Sequence, residues 1–209
     1  KQESNDSYDL DGLYINRGLC YVHLKKFQAA IDDINKGLEV CGDQCSDYMK
    51  LLGQFGLGES SYWLKQFEQA EGHFTQSLNY AKQIDDRRFQ SENLDYLGAI
   101  SIAKKEYNDA AEYLTQGDSI ARHYGYNQLS IDIYRQFAKL FNETKSFEMA
   151  ALYQSKYIQL TDSLLREDLV RNIAKVQNHY EQRENIATIA SNEIVIEQQR
   201  NLSIAIAVI

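Results

Sequence analysis

The 209-residue sequence contains no proline, and it has no cluster of lysine and arginine residues. Its formal net charge is −8 at pH 7, so duplex DNA would meet repulsion. Affinity for nucleic acid depends on clustered basic side chains, and we therefore expect no nucleic-acid partner for this segment. With 44% hydrophobic and 25% charged residues, the chain is neither a disordered segment nor a whole membrane protein.

The sequence also lacks the motifs that indicate catalysis. It has no glycine-rich phosphate-binding loop and no paired metal-ligand motif. Its four histidines lie in separate predicted helices, without a serine or cysteine nucleophile motif. We predict that this segment is not an enzyme and that it uses no cofactor and no metal ion. A kinase module, if one belongs to the protein, would lie beyond Ile209.

Three cysteines are present, at Cys20, Cys41 and Cys45. Cys41 and Cys45 flank a Gly-Asp-Gln segment that is typical of a loop. Their spacing allows a disulfide in an oxidising compartment, and two free thiols in a reducing one are the alternative. A zinc site is not expected, since no second cysteine pair or nearby histidine completes a ligand set.

The strongest signal is an internal repeat with a period of about 40 residues. An aromatic residue recurs at this period, with an alanine one helical turn later, a small residue before it and a lysine just ahead of it. The aromatic residues are Phe27, Phe67, Tyr107 and Phe147, the alanines Ala30, Ala70, Ala110 and Ala150, the small residues Gly18, Gly58, Gly98 and Ala138, and the lysines Lys25, Lys65, Lys105 and Lys145. Chance would not place four positions in register in four copies.

Each recurring position has a physical role in a stack of helix pairs. The small residue lets two antiparallel helices approach closely, and the aromatic residue opens the second helix and fills the turn. The alanine one turn later lets a neighbouring helix pack against the second helix. Apolar residues at helical offsets are expected to supply the rest of the core: Leu24, Leu64, Ile34, Phe74 and Leu114.

This pattern resembles the tetratricopeptide repeat family over about residues 8–163. The residues that carry the resemblance are Gly18-x-x-Tyr21 with Phe27-x-x-Ala30, Leu57-Gly58 with Phe67-x-x-Ala70 and Phe74, Leu97-Gly98 with Tyr107-x-x-Ala110, and Phe147-x-x-Ala150. It implies an all-α solenoid of four helix pairs in a right-handed superhelix. The family repeat has about 34 residues, so longer helices or longer links must absorb the difference. The family's usual proline after the second helix is also missing.

The repeat domain is predicted to cover residues 1–163. Its helix pairs are predicted at about 8–25 with 28–41, 47–64 with 68–83, 87–104 with 108–123, and 127–143 with 147–163. The fourth copy departs most from the pattern, with Ala138 for glycine and Gln154 where an apolar residue is expected. This is typical of a terminal repeat whose outer face is covered by something else.

Residues 164–200 contain neither glycine nor proline, which predicts one continuous helix about 55 Å long at about 1.5 Å per residue. Apolar residues at alternating spacings of four and three are typical of a coiled-coil seam. The seam consists of Leu169, Ile173, Val176 and Tyr180, and after Arg183 it resumes at Ala187, Ala190 and Ile194. We expect residues 164–180 to cap the last repeat and residues 181–200 to extend as a stalk that carries a signal or forms a homodimer.

The apolar run at 201–209 is too short to span a bilayer, and we expect it to be the start of a truncated transmembrane segment, beginning near Leu202. This end resembles the sensor region of membrane-anchored regulators of Bacteroidetes-type bacteria, through Asp162-Ser163-Leu164-Leu165, Ala174-x-Val176, Tyr180-Glu181 and Glu197-Gln198-Gln199-Arg200. The resemblance implies a periplasmic sensor domain followed by a membrane span and a cytoplasmic histidine kinase or transcriptional regulator. The alternative is a soluble cytoplasmic scaffold or peptide receptor.

In the tetratricopeptide family, ligand contacts come from the first helix of each pair. Carried over by phase, this implies a ligand-binding groove formed by Asn16, His23, Phe55, Glu59, Tyr62, Trp63, Glu92, Asp95, Tyr96, Asp132, Arg135 and Lys139, with Leu19, Ile102, Gln136 and Asn142 at further positions. The middle of this groove is aromatic and acidic, and its far end is basic.

Adjacent aromatic residues on a helix cannot both point into one core, so either Tyr62 or Trp63 is expected to face the groove or the turn. Exposed aromatic rings with nearby carboxylates suit a peptide or protein with basic and apolar side chains. The alternative is that both rings pack between repeats. A carboxylate clamp is disfavoured, because the positions of its lysines and asparagines hold mostly apolar or acidic residues.

Overall fold

A computed structural model describes the backbone of residues 7–207 and the side chains of residues 12–200. In this part of the chain there are eight α-helices, a single 3-10 turn at Gly42–Gln44, and no strand. The helices are α1 Ser7–His23, α2 Phe27–Cys41, α3 Asp47–Trp63, α4 Phe67–Gln83, α5 Arg87–Lys104, α6 Tyr107–Tyr124, α7 Asn127–Glu143 and α8 Phe147–Ala207. The predicted all-α repeat architecture is confirmed.

Two compact units divide the chain, Lys1–Leu160 and Thr161–Ile209. In the first unit each of the first three pairs packs as an antiparallel hairpin, and α2 packs on α3, α4 on α5 and α6 on α7. The links between these helices are short, with two to five residues. The length beyond that of the family repeat therefore lies in the helices, most of which have 17 or 18 residues.

The recurring aromatic residues are the first residues of α2, α4, α6 and α8, as predicted. The recurring lysines that precede them have a left-handed backbone, with φ of 57° at Lys25 and 63° at Lys105. Between pairs, Asp85 and Gly125 have the same sign of φ, at 59° and 71°. From Lys65 to Lys145 a left-handed residue thus recurs in every half of the repeat, because each half ends its helix in the same way.

The beginnings of two first helices follow the same period. The Ser46 hydroxyl accepts a hydrogen bond from the Met49 backbone N–H at 3.2 Å, and the Asp86 carboxylate accepts one from the Phe89 N–H at 3.0 Å. Serine and aspartate at this position satisfy backbone donors that the helix itself leaves unpaired. These caps fix where α3 and α5 begin.

The recurring glycines are sites of close helix approach. A β-carbon on Gly58 would lie 2.8 Å from Phe74 Cε1, and one on Gly98 would lie 2.6 Å from Leu114 Cδ2. In each case the apolar partner occupies the same position of the repeat, on the second helix of the pair. In the fourth pair the same two positions hold Ala138 and Gln154, and the Gln154 side chain is exposed, so this packing is not repeated there.

The core prediction holds for the helical positions and is wrong for two others. Ile34, Phe74 and Leu114 are fully buried, whereas Leu24 is 63% exposed and Leu64 is 38% exposed. The two leucines come directly after the last residues of α1 and α3. They lie in turns, where the helical offset from the core no longer applies.

Cys41 and Cys45 are joined by a disulfide, and both residues are buried. The bond connects the last residue of α2 to the link before α3. The structure thus contains the disulfide that the cysteine spacing allowed. Cys20 is free and exposed.

Helix α8 does not end at residue 163, as the predicted fourth pair has it, but continues without interruption to Ala207. Within the second unit, every described side chain from Leu165 to Arg200 is exposed, including those of the predicted seam. Among the residues that the structure describes, no helix is both long and apolar enough to cross a membrane. The side chains of residues 201–209, where a membrane segment was predicted to start, lie outside the described residues.

Candidate functional site

The first helices of the four pairs, α1, α3, α5 and α7, together line a cavity of about 560 Å³. This volume is within the usual range for ligand pockets. The lining residues are Leu19, His23, Leu52, Phe55, Glu59, Tyr62, Trp63, Arg88, Phe89, Glu92, Asp95, Tyr96, Leu129, Asp132, Arg135 and Gln136.

Most of the predicted groove residues meet in this cavity. Ten of the twelve line it, and the exceptions are Asn16 and Lys139, which are exposed elsewhere. Of the four further positions, Leu19 and Gln136 line the cavity. Asn142 lies outside it, and Ile102 is buried in the core at 3% exposure, so its placement in the groove is wrong. That these residues bind a ligand stays a prediction.

Four lining residues were missed, namely Leu52, Arg88, Phe89 and Leu129. Phe89 and Leu129 occupy equivalent positions of successive repeats, in the first turns of α5 and α7. The repeat therefore carried a signal for them, but a reading centred on the middle of each helix does not include its first turn.

Aromatic rings connect α3 to α5 across the cavity. The Phe55 ring makes edge-to-face contacts with Phe89 and Tyr96, at centroid distances of 5.1 and 5.8 Å. Tyr96 in turn stacks on the buried Phe74 at 4.5 Å. Such contacts stabilise beyond the area they bury, so this wall of the cavity is held in place before any ligand arrives.

The adjacent residues Tyr62 and Trp63 both line the cavity, but they pack differently. Tyr62 is partly buried and contacts Phe67 and Tyr96 at 5.9 and 5.4 Å. Trp63 is 57% exposed and stacks on Phe27, the first residue of α2, at 6.3 Å. Both rings therefore border the groove, and Trp63 is the more exposed of the two.

Three of the four cavity carboxylates have a partner within the protein. Arg88 Nε donates to Glu92 Oε1 at 3.0 Å. The Arg135 guanidinium lies 3.0 Å from Asp132 Oδ1. The Tyr96 hydroxyl donates to Glu59 Oε1 at 2.8 Å.

The fourth carboxylate, that of Asp95, is different. Its Oδ1 atom is buried and has no hydrogen-bond partner among the described residues. Burial above all, together with the nearby charges of Asp132 and Glu92, raises the pKa of Asp95 to about 7 against the opposing effect of Arg135. An unpaired buried carboxylate oxygen is costly, and native structures leave few of them.

The other carboxylates in the middle of the cavity shift in the same direction. Burial raises the pKa of Glu59, and the hydrogen bond from Tyr96 partly offsets this. Burial also raises the pKa of Glu92, against the effect of Arg88. Across the part of the chain that the structure describes, no group of three or more histidine, cysteine, aspartate or glutamate side chains is arranged to hold a metal ion.

No protein-family model matches the sequence, and no curated protein matches it. Solved structures do match. Aspartyl phosphate phosphatase F from Bacillus subtilis has a TM-score of 0.68 at 15% identity, over 74% of this chain and 40% of that chain. The apo form of RapI has a TM-score of 0.66 at 16% identity, over 77% of this chain and 45% of that chain.

BtubC (BKLC) from P. vanneervenii has a TM-score of 0.68 at 16% identity, over 78% of this chain and 68% of that chain. This chain thus spans less than half the length of the first two structures. At such identities the likeness concerns the fold alone. In fold, the chain is a helical-repeat solenoid of the tetratricopeptide type.

Proposed function

We propose that the repeat unit is a binding module that holds a peptide, or an extended segment of a partner protein, in the cavity lined by α1, α3, α5 and α7. The observation that carries this proposal is one cavity of about 560 Å³ to which all four helix pairs contribute. Solenoid repeats use such extended surfaces to bind their partners.

The composition of the cavity supports binding of a chain with apolar and polar groups. Phe55, Phe89 and Tyr96 supply aromatic surface, and the carboxylates and guanidiniums around them can fix the orientation of a ligand. Pockets that bind ligands commonly combine these two features. Tyrosine, tryptophan and arginine are also the residues that contribute most at protein interfaces, and the cavity lining has all three.

We further propose that the chain is the extracytoplasmic sensor part of a membrane-bound transcriptional regulator or histidine kinase. The Cys41–Cys45 disulfide supports an oxidising compartment. A soluble cytoplasmic scaffold is the competing proposal, and the redox state of the pair in the cell separates them. Because both cysteines are buried, the thiols of quenched cells are labelled after denaturation, and Cys41 and Cys45 should stay protected until a reductant is added. Labelling of all three cysteines without reductant would favour the cytoplasmic scaffold.

The test of binding uses Trp63, the only tryptophan of the chain, as a reporter inside the cavity. Peptides are selected from a displayed random library on the full chain and then titrated while Trp63 emission is followed. Gln136→Phe introduces bulk into the cavity without charge. Gln69→Phe makes the same change on α4, where the side chain is exposed and outside the lining.

The proposed function requires that selected peptides change Trp63 emission and that Gln136→Phe weakens them while Gln69→Phe does not. If no peptide is selected, or if both variants bind every selected peptide as well as the original chain does, the cavity is not a peptide site.

A further inference from the structure

We infer that the peptide in this cavity presents an arginine or lysine side chain to Asp95. The inference rests on the proposed function and adds to it the chemical class of one ligand residue. It is carried by the pairing of charges within the cavity, by the position of Asp95 and by the shape of the walls around it.

The pairing of charges leaves an excess of acid. Four carboxylates line the cavity against two guanidiniums. Each guanidinium has its own carboxylate, Arg88 with Glu92 and Arg135 with Asp132. Glu59 accepts its hydrogen bond from the neutral hydroxyl of Tyr96. Among the described lining residues, neither guanidinium therefore forms an ion pair with Asp95.

Arg135 does not fill this role, although it is close enough to affect the Asp95 carboxylate. Its side chain pairs with Asp132 one turn away on α7, and its guanidinium carbon lies 5.5 Å from the centre of the Tyr157 ring. These two contacts engage the guanidinium with α7 and α8. A cation brought by a ligand therefore meets a carboxylate that forms no ion pair with a described residue. The buried Oδ1 atom of this carboxylate also has no hydrogen-bond partner there.

Asp95 also lies beside the aromatic part of the cavity. Tyr62 and Tyr96 line the same cavity as Asp95, and its negative charge is one of the causes that raise the pKa of both. Phe55 and Phe89 continue the same wall. Lysine and arginine carry an apolar stem below a charged head, and both parts are satisfied where aromatic rings adjoin a carboxylate.

The test compares two peptides that differ in one group. A peptide selected on the full chain is synthesised with arginine and with citrulline at the position where selection enriches a basic residue. Citrulline keeps the length and the planar shape, but it has an oxygen in place of one guanidinium nitrogen and therefore has no charge. Both peptides are titrated against the original chain, against Asp95→Asn, and against Asp109→Asn, which makes the same change at an exposed carboxylate on α6.

We expect the original chain to bind the arginine peptide at least about tenfold more tightly than the citrulline peptide. Asp95→Asn should remove most of this preference, and Asp109→Asn should keep it. If cavity peptides are selected without basic residues, or if the preference survives Asp95→Asn, this inference is overturned while peptide binding stands. If no peptide enters the cavity, both proposals are overturned.

Discussion

Tyr96 donates a hydrogen bond to Glu59. One repeat earlier, the equivalent residues are Gly56 and Leu19, which lie in close contact. A β-carbon on Gly56 would lie 2.7 Å from Leu19 Cδ2, so α1 and α3 meet tightly at that point. Between α3 and α5 a tyrosine replaces the glycine and a carboxylate replaces the leucine. The aromatic and acidic part of the cavity thus lies where larger and polar residues replace the small and apolar residues of the preceding repeat.

The close contact between Gly58 and Phe74 predicts a destabilising effect of one methyl group. Gly58→Ala places a β-carbon 2.8 Å from the ring of a fully buried phenylalanine, and overpacking of this kind costs about 1–3 kcal/mol. Gly72→Ala is the control, since a β-carbon there meets nothing within 4 Å, and it should gain up to about 1 kcal/mol in helix propensity. Urea unfolding of both variants measures the difference. Equal effects would contradict the steric role of Gly58.

At the left-handed lysines, substitution by glycine is expected to stabilise the fold. Lys105 has a φ of 63°, a conformation that is unfavourable for residues other than glycine. Lys105→Gly should therefore raise the free energy of unfolding, by up to about 1 kcal/mol after the entropy cost of glycine. Lys139→Gly, inside α7, should lower it by about 1 kcal/mol. Thermal unfolding followed by circular dichroism tests this, and a loss of stability in Lys105→Gly would contradict it.

The raised pKa of Asp95 predicts that the stability of the fold depends on pH. Because its pKa is raised, chiefly by burial, to about 7, its contribution to stability is full at acidic pH and is lost as pH rises from about 4 through 7. The groups that interact with it are Glu92 and Tyr96 on its own helix, Tyr62 on α3, and Asp132 and Arg135 on α7.

Asp95→Asn removes this titration while keeping the size of the side chain. At pH 8 the variant should be more stable than the original chain by about 1–3 kcal/mol, and at pH 4 the two should be nearly equal. The measurement is the free energy of unfolding between pH 4 and 8. A variant that loses stability at pH 8 would show that Asp95 is held by a contact within the protein.

The disulfide predicts a moderate loss of stability on reduction. A loop as short as that between Cys41 and Cys45 contributes about 2 kcal/mol in the chain-entropy treatment. The double variant Cys41→Ala with Cys45→Ala should unfold at the lower denaturant concentration of the reduced chain and should no longer respond to reductant. Cys20→Ala should keep the response. A response to reductant that persists in the double variant would contradict this assignment.

The exposed apolar face of the second unit predicts a homodimer that depends on side-chain position. Val176 belongs to the predicted seam, whereas Val170 lies outside it, and both are exposed on α8. Val176→Glu should shift the full chain from dimer to monomer in light scattering, and Val170→Glu should not. A monomeric original chain, or equal behaviour of the two variants, would refute the seam.

The sequence predicted the helix pairs well because the recurring positions carry steric demands. Only a small residue fits at Gly58 and Gly98, so the pattern of residue types is also a pattern of contacts. The aromatic positions are less uniform, since Phe147 is 66% exposed. The same phase brought most of the groove residues to one cavity. The errors at Leu24 and Leu64 arose where the helix ends and its periodicity no longer describes the chain.

Other features depend on distances that residue types do not encode. Lysine is not a residue typical of the left-handed conformation, so the turn geometry at Lys25 and Lys105 had no signature. Asp95 has an unpaired oxygen because Arg135 pairs with Asp132 on α7, the first helix of the next pair. The missed lining residues in the first turns of α5 and α7 also recur with the repeat. The period therefore predicts more of the cavity than the middle turns of each helix alone.

The regular recurrence of left-handed turns also determines which insertions the fold can accommodate. An insertion of one whole repeat adds one helix to the cavity side and one to the opposite side, so the turns keep their roles and the cavity lengthens. An insertion of half a repeat preserves every turn but exchanges the two sides for all that follows. Insertions that keep the cavity should therefore come in whole pairs of helices.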